Sequence, residues 1–73
     1  MPKRALELEV MMGSRHAGVF EAEADPDDVG TLRDALTGWL ESNGWKPPTW
    51  GRFELLVRRQ GQYKILKRVR ATP

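Results

Sequence analysis

The chain has 73 residues, a net charge of +2 and no cysteine. That length predicts one domain, 1–73, with a modest core, because a chain this size buries only about 60% of the surface it exposes when unfolded. The lack of cysteine excludes disulfides, thiolate chemistry and cysteine zinc sites and fits a reducing, cytoplasmic setting, and no apolar run reaches the length of a signal peptide core or a membrane span.

After a short basic start, Ala5 to Met12 alternates. Leu6, Leu8, Val10 and Met12 point one way, and Glu7, Glu9 and Met11 the other. Period two with one apolar face predicts a half-buried strand over 5–12. Gly13-Ser14-Arg15-His16 reads as a turn. A second strand is expected over 17–24, with Phe20, Ala22 and Ala24 opposite Val19, Glu21 and Glu23. The two strands form a hairpin with an apolar inner face and an acidic outer one.

A helix is predicted over 26–43. Val29, Leu32, Leu36, Trp39 and Leu40 fall on one stripe of a 3.6-residue period, with Ala35 at its edge. Asp25 is the expected N-cap, with Pro26 at the first helical position and Asp27 and Asp28 in the acid-favouring first turn. Asn43-Gly44 is a stop, with Gly44 suited to a left-handed C′ position and Trp45 to the apolar contact that follows it. Gly30 and Gly38 each cost the helix about 1 kcal/mol relative to alanine. The helix therefore depends on burying its stripe.

Pro47-Pro48 forbids helix and favours an extended connector. A third strand is expected over 52–58, with Phe53, Leu55 and Val57 inward, and a fourth over 63–70. A three-residue loop, Arg59-Gln60-Gly61, sets Val57 against Tyr63, Leu55 against Ile65 and Phe53 against Lys67. The outer face then collects Arg52, Glu54, Leu56, Arg58, Lys64, Leu66, Arg68 and Arg70.

The expected fold class is α+β: ββαββ, a single four-stranded sheet with one helix packed on one face. Two hairpins joined by one helix resemble the β-grasp family in element order and length. The resemblance implies strand order 2-1-4-3, with the first and last strands parallel neighbours. Glu7 and Glu9 facing Lys64, Arg68 and Arg70 agree with that order, since opposite charges on adjacent strands attract.

Motifs that carry chemistry are missing from the sequence. His16 is the single histidine, and Ser14 two residues away in a turn is no triad partner. The acidic run from Glu21 to Asp28 partly mimics a calcium loop, but Val29 and Leu36 stand where oxygen ligands are needed. The glycines form no phosphate cradle, and no cofactor motif is present. A non-enzymatic protein is the expectation.

The charge is divided. Residues 1–44 carry nine acids and four bases, a balance of −5, and residues 45–73 one acid and eight bases, +7. Arg52, Arg58, Lys64, Arg68 and Arg70 on one hairpin can track phosphates, with Trp45 or Trp50 stacking on bases. The same surface, with Leu56 and Leu66 among arginines and Trp45 and Trp50 near one end, has the composition of a protein interface. The expected function is thus a small protein-interaction module, binding another protein or itself as a homodimer. Its candidate interface is Trp45, Trp50, Arg52, Leu56, Arg58, Lys64, Leu66, Arg68 and Arg70. Nucleic-acid binding through the basic hairpin is the alternative.

The stretch N-G-W-K-P-P-T-W-G-R-F-E-L-L-V-R-R-Q-G-Q-Y-K-I-L-K-R-V-R-A is similar to short uncharacterised proteins of actinobacterial phages over residues 43–73. That resemblance implies an accessory protein acting on a host protein, with host toxicity among its consequences. It transfers no functional residue.

Overall fold

The computed structural model describes residues 3–72. Strands β1 (Arg4–Met12) and β2 (Arg15–Ala24) are followed by helix α1 (Val29–Ser42), a 3-10 helix (Pro47–Arg52), and strands β3 (Phe53–Arg59) and β4 (Ile65–Arg70). All four strands form one sheet in the order β2-β1-β3-β4, with every neighbouring pair antiparallel. The α+β class and the ββαββ order follow the sequence expectation. Among the described residues no helix is long and apolar enough to cross a membrane.

The β-grasp order 2-1-4-3 is corrected. β3, not β4, lies beside β1, and the pair is antiparallel, from Met12 opposite Phe53 to Leu6 opposite Arg59. The reason lies in β3 itself. Leu55, Leu56 and Val57 are all buried in succession. A strand apolar on both sides belongs in the middle of a sheet. β4 carries Lys67, Arg68 and Arg70, and charged side chains suit an edge. The crossover is also shorter. β2 and β3 both run against β1, so α1 links two parallel strands across a single intervening one.

One face of the sheet meets α1. Leu6, Leu8 and Val10 of β1, Phe53, Leu55 and Val57 of β3, and Val69 of β4 pack with Leu32, Leu36 and Leu40 of the helix. Each such side chain contributes about 1.5–3 kcal/mol through burial. Trp39 lies over β2, where its ring stacks on Phe20 at 6.4 Å and 11°. Gly18 makes room for it, because a Cβ there would stand 2.4 Å from Trp39 Cζ2.

The helix ends differ in how far the sequence located them. The N-cap is Asp28, not Asp25: its carboxylate accepts from Thr31 N at 3.2 Å and from Thr31 Oγ1 at 2.8 Å. These bonds hold the Asp28 carboxyl below the ordinary aspartate range. Asp25 instead accepts from Asp27 N at 2.9 Å, and its carbonyl accepts from Asp28 N at 3.0 Å. That is an Asx turn, with Pro26 in the turn rather than in the helix. The C-terminus is as expected. Gly44 has φ +85°, its N–H bonds Glu41 O at 3.1 Å, and Trp45 N bonds Leu40 O at 2.9 Å, the two bonds of a Schellman motif.

The second hairpin departs from expectation. Gln62 N bonds Arg59 O at 3.0 Å around Gly61, whose φ is +81°. The chain then stays out of the sheet until Ile65. Val57 faces Lys67 and Leu55 faces Val69, and the register shifts between Val57 and Arg58. Tyr63, expected inside against Val57, is 97% exposed. The shift leaves Leu66 as an extra residue in β4, and it packs on the core instead of standing outside. Lys67 is inward-facing as expected, and its Nζ lies 3.5 Å from Asp27 Oδ1 at the sheet margin.

Candidate interaction surface

The side of the sheet away from α1 has no covering layer. Alternation along the strands places Glu7, Glu9 and Met11 of β1 there, with Val19, Glu21 and Glu23 of β2. β3 adds Glu54, Leu56 and Arg58, and β4 adds Ile65, Arg68 and Arg70. Val19 is 50% exposed.

Leu56 sits at the centre. Glu54 and Arg58 flank it along β3, and Glu9 and Arg68 flank it across the sheet. Two ion pairs connect these four residues: Arg58 Nη1 to Glu9 Oε1 at 2.6 Å, and Arg68 Nη1 to Glu54 Oε1 at 3.1 Å. Leu56, enclosed by these four neighbours along and across the strands, is only 7% exposed. Glu9 also takes His16, whose Nδ1 lies 2.7 Å from its second oxygen. The His16 and Arg58 hydrogen bonds, in that order, hold the Glu9 carboxyl below the ordinary glutamate range. His16 thus has a carboxylate partner, with Met11 opposite it in β1, and among the described residues no Ser or Thr hydroxyl hydrogen-bonds to the pair.

The remaining charges are sorted by strand. Glu7 and Glu21 are direct cross-strand partners, an unfavourable like-charge pair. Gln60 Nε2 donates to Glu21 at 3.1 Å, yet Glu7, Glu21 and Glu23 have no ion pair among the described residues. Arg52, Arg59, Lys64 and Arg70, all exposed, likewise have none. Of these four only Arg70 lies on the open face, whose β2 edge carries Glu21 and Glu23 and whose β4 edge carries Arg68 and Arg70.

The nine interface residues read from sequence do not form one patch. Leu56, Arg58, Arg68 and Arg70 share the open face. Leu66 turns to the core. Lys64 lies in the exposed loop before β4, and Arg52 ends the 3-10 helix. Trp45 and Trp50 close the core below the end of α1. Trp45 meets Phe53 edge-on at 5.0 Å, and Trp50 Nε1 donates to Trp45 O at 3.0 Å. Trp45 keeps 36% exposure beside a shallow hollow shared with Glu41, Pro47 and Trp50.

The acidic partners on this face were missing from the sequence-derived interface. Glu9 and Arg58 lie 49 residues apart, and only the β1–β3 pairing joins them. The Asp25–Asp28 run serves helix entry, and among the described residues no group of three or more His, Asp or Glu is placed to hold a metal ion. Comparisons with protein-family models, with curated proteins and with solved structures return no match.

Proposed function

We propose that this chain is a small, non-enzymatic, cytoplasmic protein-interaction module whose contact surface is the open sheet face around Leu56. The observation that carries this reading is the pairing of Arg58 with Glu9 and of Arg68 with Glu54 on a face without a covering layer. Cations held by the chain's own carboxylates are poor phosphate ligands, because neutralising phosphates requires them free. A face of ion pairs around a leucine, rimmed by Val19 and Ile65, instead offers another protein both apolar area and charges in fixed positions. The resemblance of residues 43–73 to actinobacterial phage proteins supplies a setting in which that partner is a host protein and binding harms the host.

The test is capture on the tagged chain with and without nuclease, comparing wild type with Val19→Asp/Leu56→Asp and with a helix-face control, Thr37→Lys. A protein held after nuclease and moderate salt, lost with the open-face variant and kept with the control, is the expected result. Material that disappears on nuclease treatment, with a steep loss as salt rises, assigns the basic hairpin to nucleic acid instead.

A further inference from the structure

We propose that the end of the sheet beside the β1–β2 turn carries a binding site for a single phosphate group, held between the guanidinium groups of Arg52 and Arg70. These are two of the four exposed cations without an ion pair among the described residues, and both line the same hollow. The other two, Arg59 and Lys64, lie at the opposite end of the sheet. Four segments build the wall: Gly13 from the β1–β2 turn, Gly51 and Arg52 from the 3-10 helix, Phe53 and Glu54 from β3, and Arg70 from β4. The site does not depend on the open-face contact proposed above.

The charge at this corner is unbalanced. Glu54 is the one carboxylate among the residues lining the hollow, and its Oε1 accepts from Arg68 Nη1 at 3.1 Å. Arg70 is the cross-strand partner of Glu54, yet neither Arg70 nor Arg52 makes an ion pair with it. Three guanidinium groups thus meet one carboxylate, an excess of two positive charges. A phosphate monoester carries about −1.5 to −2 at pH 7, whereas each phosphodiester of a nucleic acid carries about −1. The dianion matches the excess and the diester leaves half of it. Guanidinium groups suit the task, because their planar forks donate paired N–H groups to phosphate oxygens.

Both arginines spring from a held backbone. Gly13 N donates to Arg52 O at 3.2 Å, and Arg33 Nε donates to Arg70 O at 3.1 Å. A frame fixed before binding has less to lose on ordering. The frame is also open: a Cβ on Gly13 would meet nothing within 4 Å, and one on Gly51 only Thr72 Oγ1 at 3.9 Å. The hollow measures about 150 Å³, under the ~300 Å³ at which pockets for whole small molecules begin. It takes a phosphate group and leaves the esterified remainder in solvent. Free phosphate and a small phosphate monoester therefore share one chemistry here.

Titration of the full chain with inorganic phosphate, glycerol phosphate and dimethyl phosphate tests this, followed by proton–nitrogen NMR at constant ionic strength and about pH 7.5, where phosphate is chiefly the dianion. Phosphate and glycerol phosphate are expected to shift the Gly13 and Gly51 amides and the Arg52 and Arg70 Nε signals saturably. Their dissociation constants should be on the order of 1 mM, as two charge-assisted contacts at an exposed site allow. Dimethyl phosphate, a monoanion, should bind at least about tenfold more weakly. Arg52→Gln and Arg70→Gln should each raise the phosphate constant about tenfold, while Arg59→Gln leaves it unchanged. Gly51→Asp keeps both arginines, adds a carboxylate to the wall and should also lose binding. Shifts that stay linear with phosphate, or an Arg59→Gln effect equal to that of Arg52→Gln, overturn the site. Dimethyl phosphate bound as tightly as phosphate overturns the dianion and points to nucleic-acid backbone. Binding of phosphate without glycerol phosphate supports the site and restricts it to the free ion. The capture experiment above is read separately, since its variants leave Arg52 and Arg70 in place.

Discussion

Replacing Gly18 by alanine tests the seat of the helix on the sheet. Gly18 is opposite Val10 in β1, and its φ is not positive, so alanine meets no backbone strain. The cost is contact alone. The new Cβ would lie 2.4 Å from Trp39 Cζ2 and 3.0 Å from Cη2. Carbon atoms rest about 3.5–4.0 Å apart, so the ring must recede by more than ~1 Å. It cannot recede freely, because it is stacked on Phe20 and its helix is held by Leu36 and Leu40 in the core. Overpacking of this kind costs about 1–3 kcal/mol. A 73-residue domain has a total stability of about 4–11 kcal/mol. A loss of about 2 kcal/mol lowers the melting temperature by about 8–16 °C. Urea denaturation followed by far-UV circular dichroism measures it. The Trp39→Leu background removes the obstructing ring, and there Gly18→Ala should be neutral or stabilise by about 0.5 kcal/mol, since alanine has less chain entropy to lose. The coupling between the two positions should then be about 2 kcal/mol. An equal cost in both backgrounds, or none in either, would refute the close approach as the reason for glycine at this position.

Gly38 faces open space in the middle of α1, so Gly38→Ala should stabilise by about 0.5–1 kcal/mol, whereas Gly44→Ala, at φ +85°, should destabilise by about 1–2 kcal/mol; thermal melts of both variants check the contrast. Asp28→Ala should lower the melting temperature more than Asp25→Ala, and Asp28→Asn should restore much of the loss, because an amide oxygen still caps. The folded-state pKa of Glu9 is depressed, so its contribution is present above the unfolded value near pH 4.3 and is lost as pH falls through the folded value. Urea midpoints taken from pH 6 down to about pH 2 should therefore fall less steeply in Glu9→Gln than in wild type.

Strong periodicity was legible in the sequence. Leu6, Leu8 and Val10 at period two, and Leu32, Leu36 and Leu40 at helical spacing, are the observed core. Gly44 was legible because one left-handed residue ends a helix in a stereotyped way. The N-cap was not, because D-P-D-D offers three carboxylates and the proline draws the helix start to itself. An Asx turn at Asp25 moves it on by one turn. Strand order was misread because facing charges were weighed above the Leu55-Leu56-Val57 run, whose burial on both sides was the stronger signal for a central strand. Tyr63 and Leu66 exchanged environments through a register shift marked in sequence only by Gly61. Of the candidate surface, the arginines were visible and their carboxylate partners were not, since a pair such as Glu9–Arg58 exists only once β3 lies beside β1.

The position of β1 between two parallel strands has a kinetic consequence. The first hairpin and the helix can form from local contacts, but β1 gains its second neighbour only when Phe53 to Arg59 arrives. Until then Leu6, Leu8 and Val10 lie along a strand with one unpaired edge, as they do during synthesis of the chain. Such distant pairing raises contact order and delays the rate-limiting step of folding until loop closure is achieved. The transition state should accordingly require β3 docked on β1, and a fragment ending after α1 should be the species that aggregates.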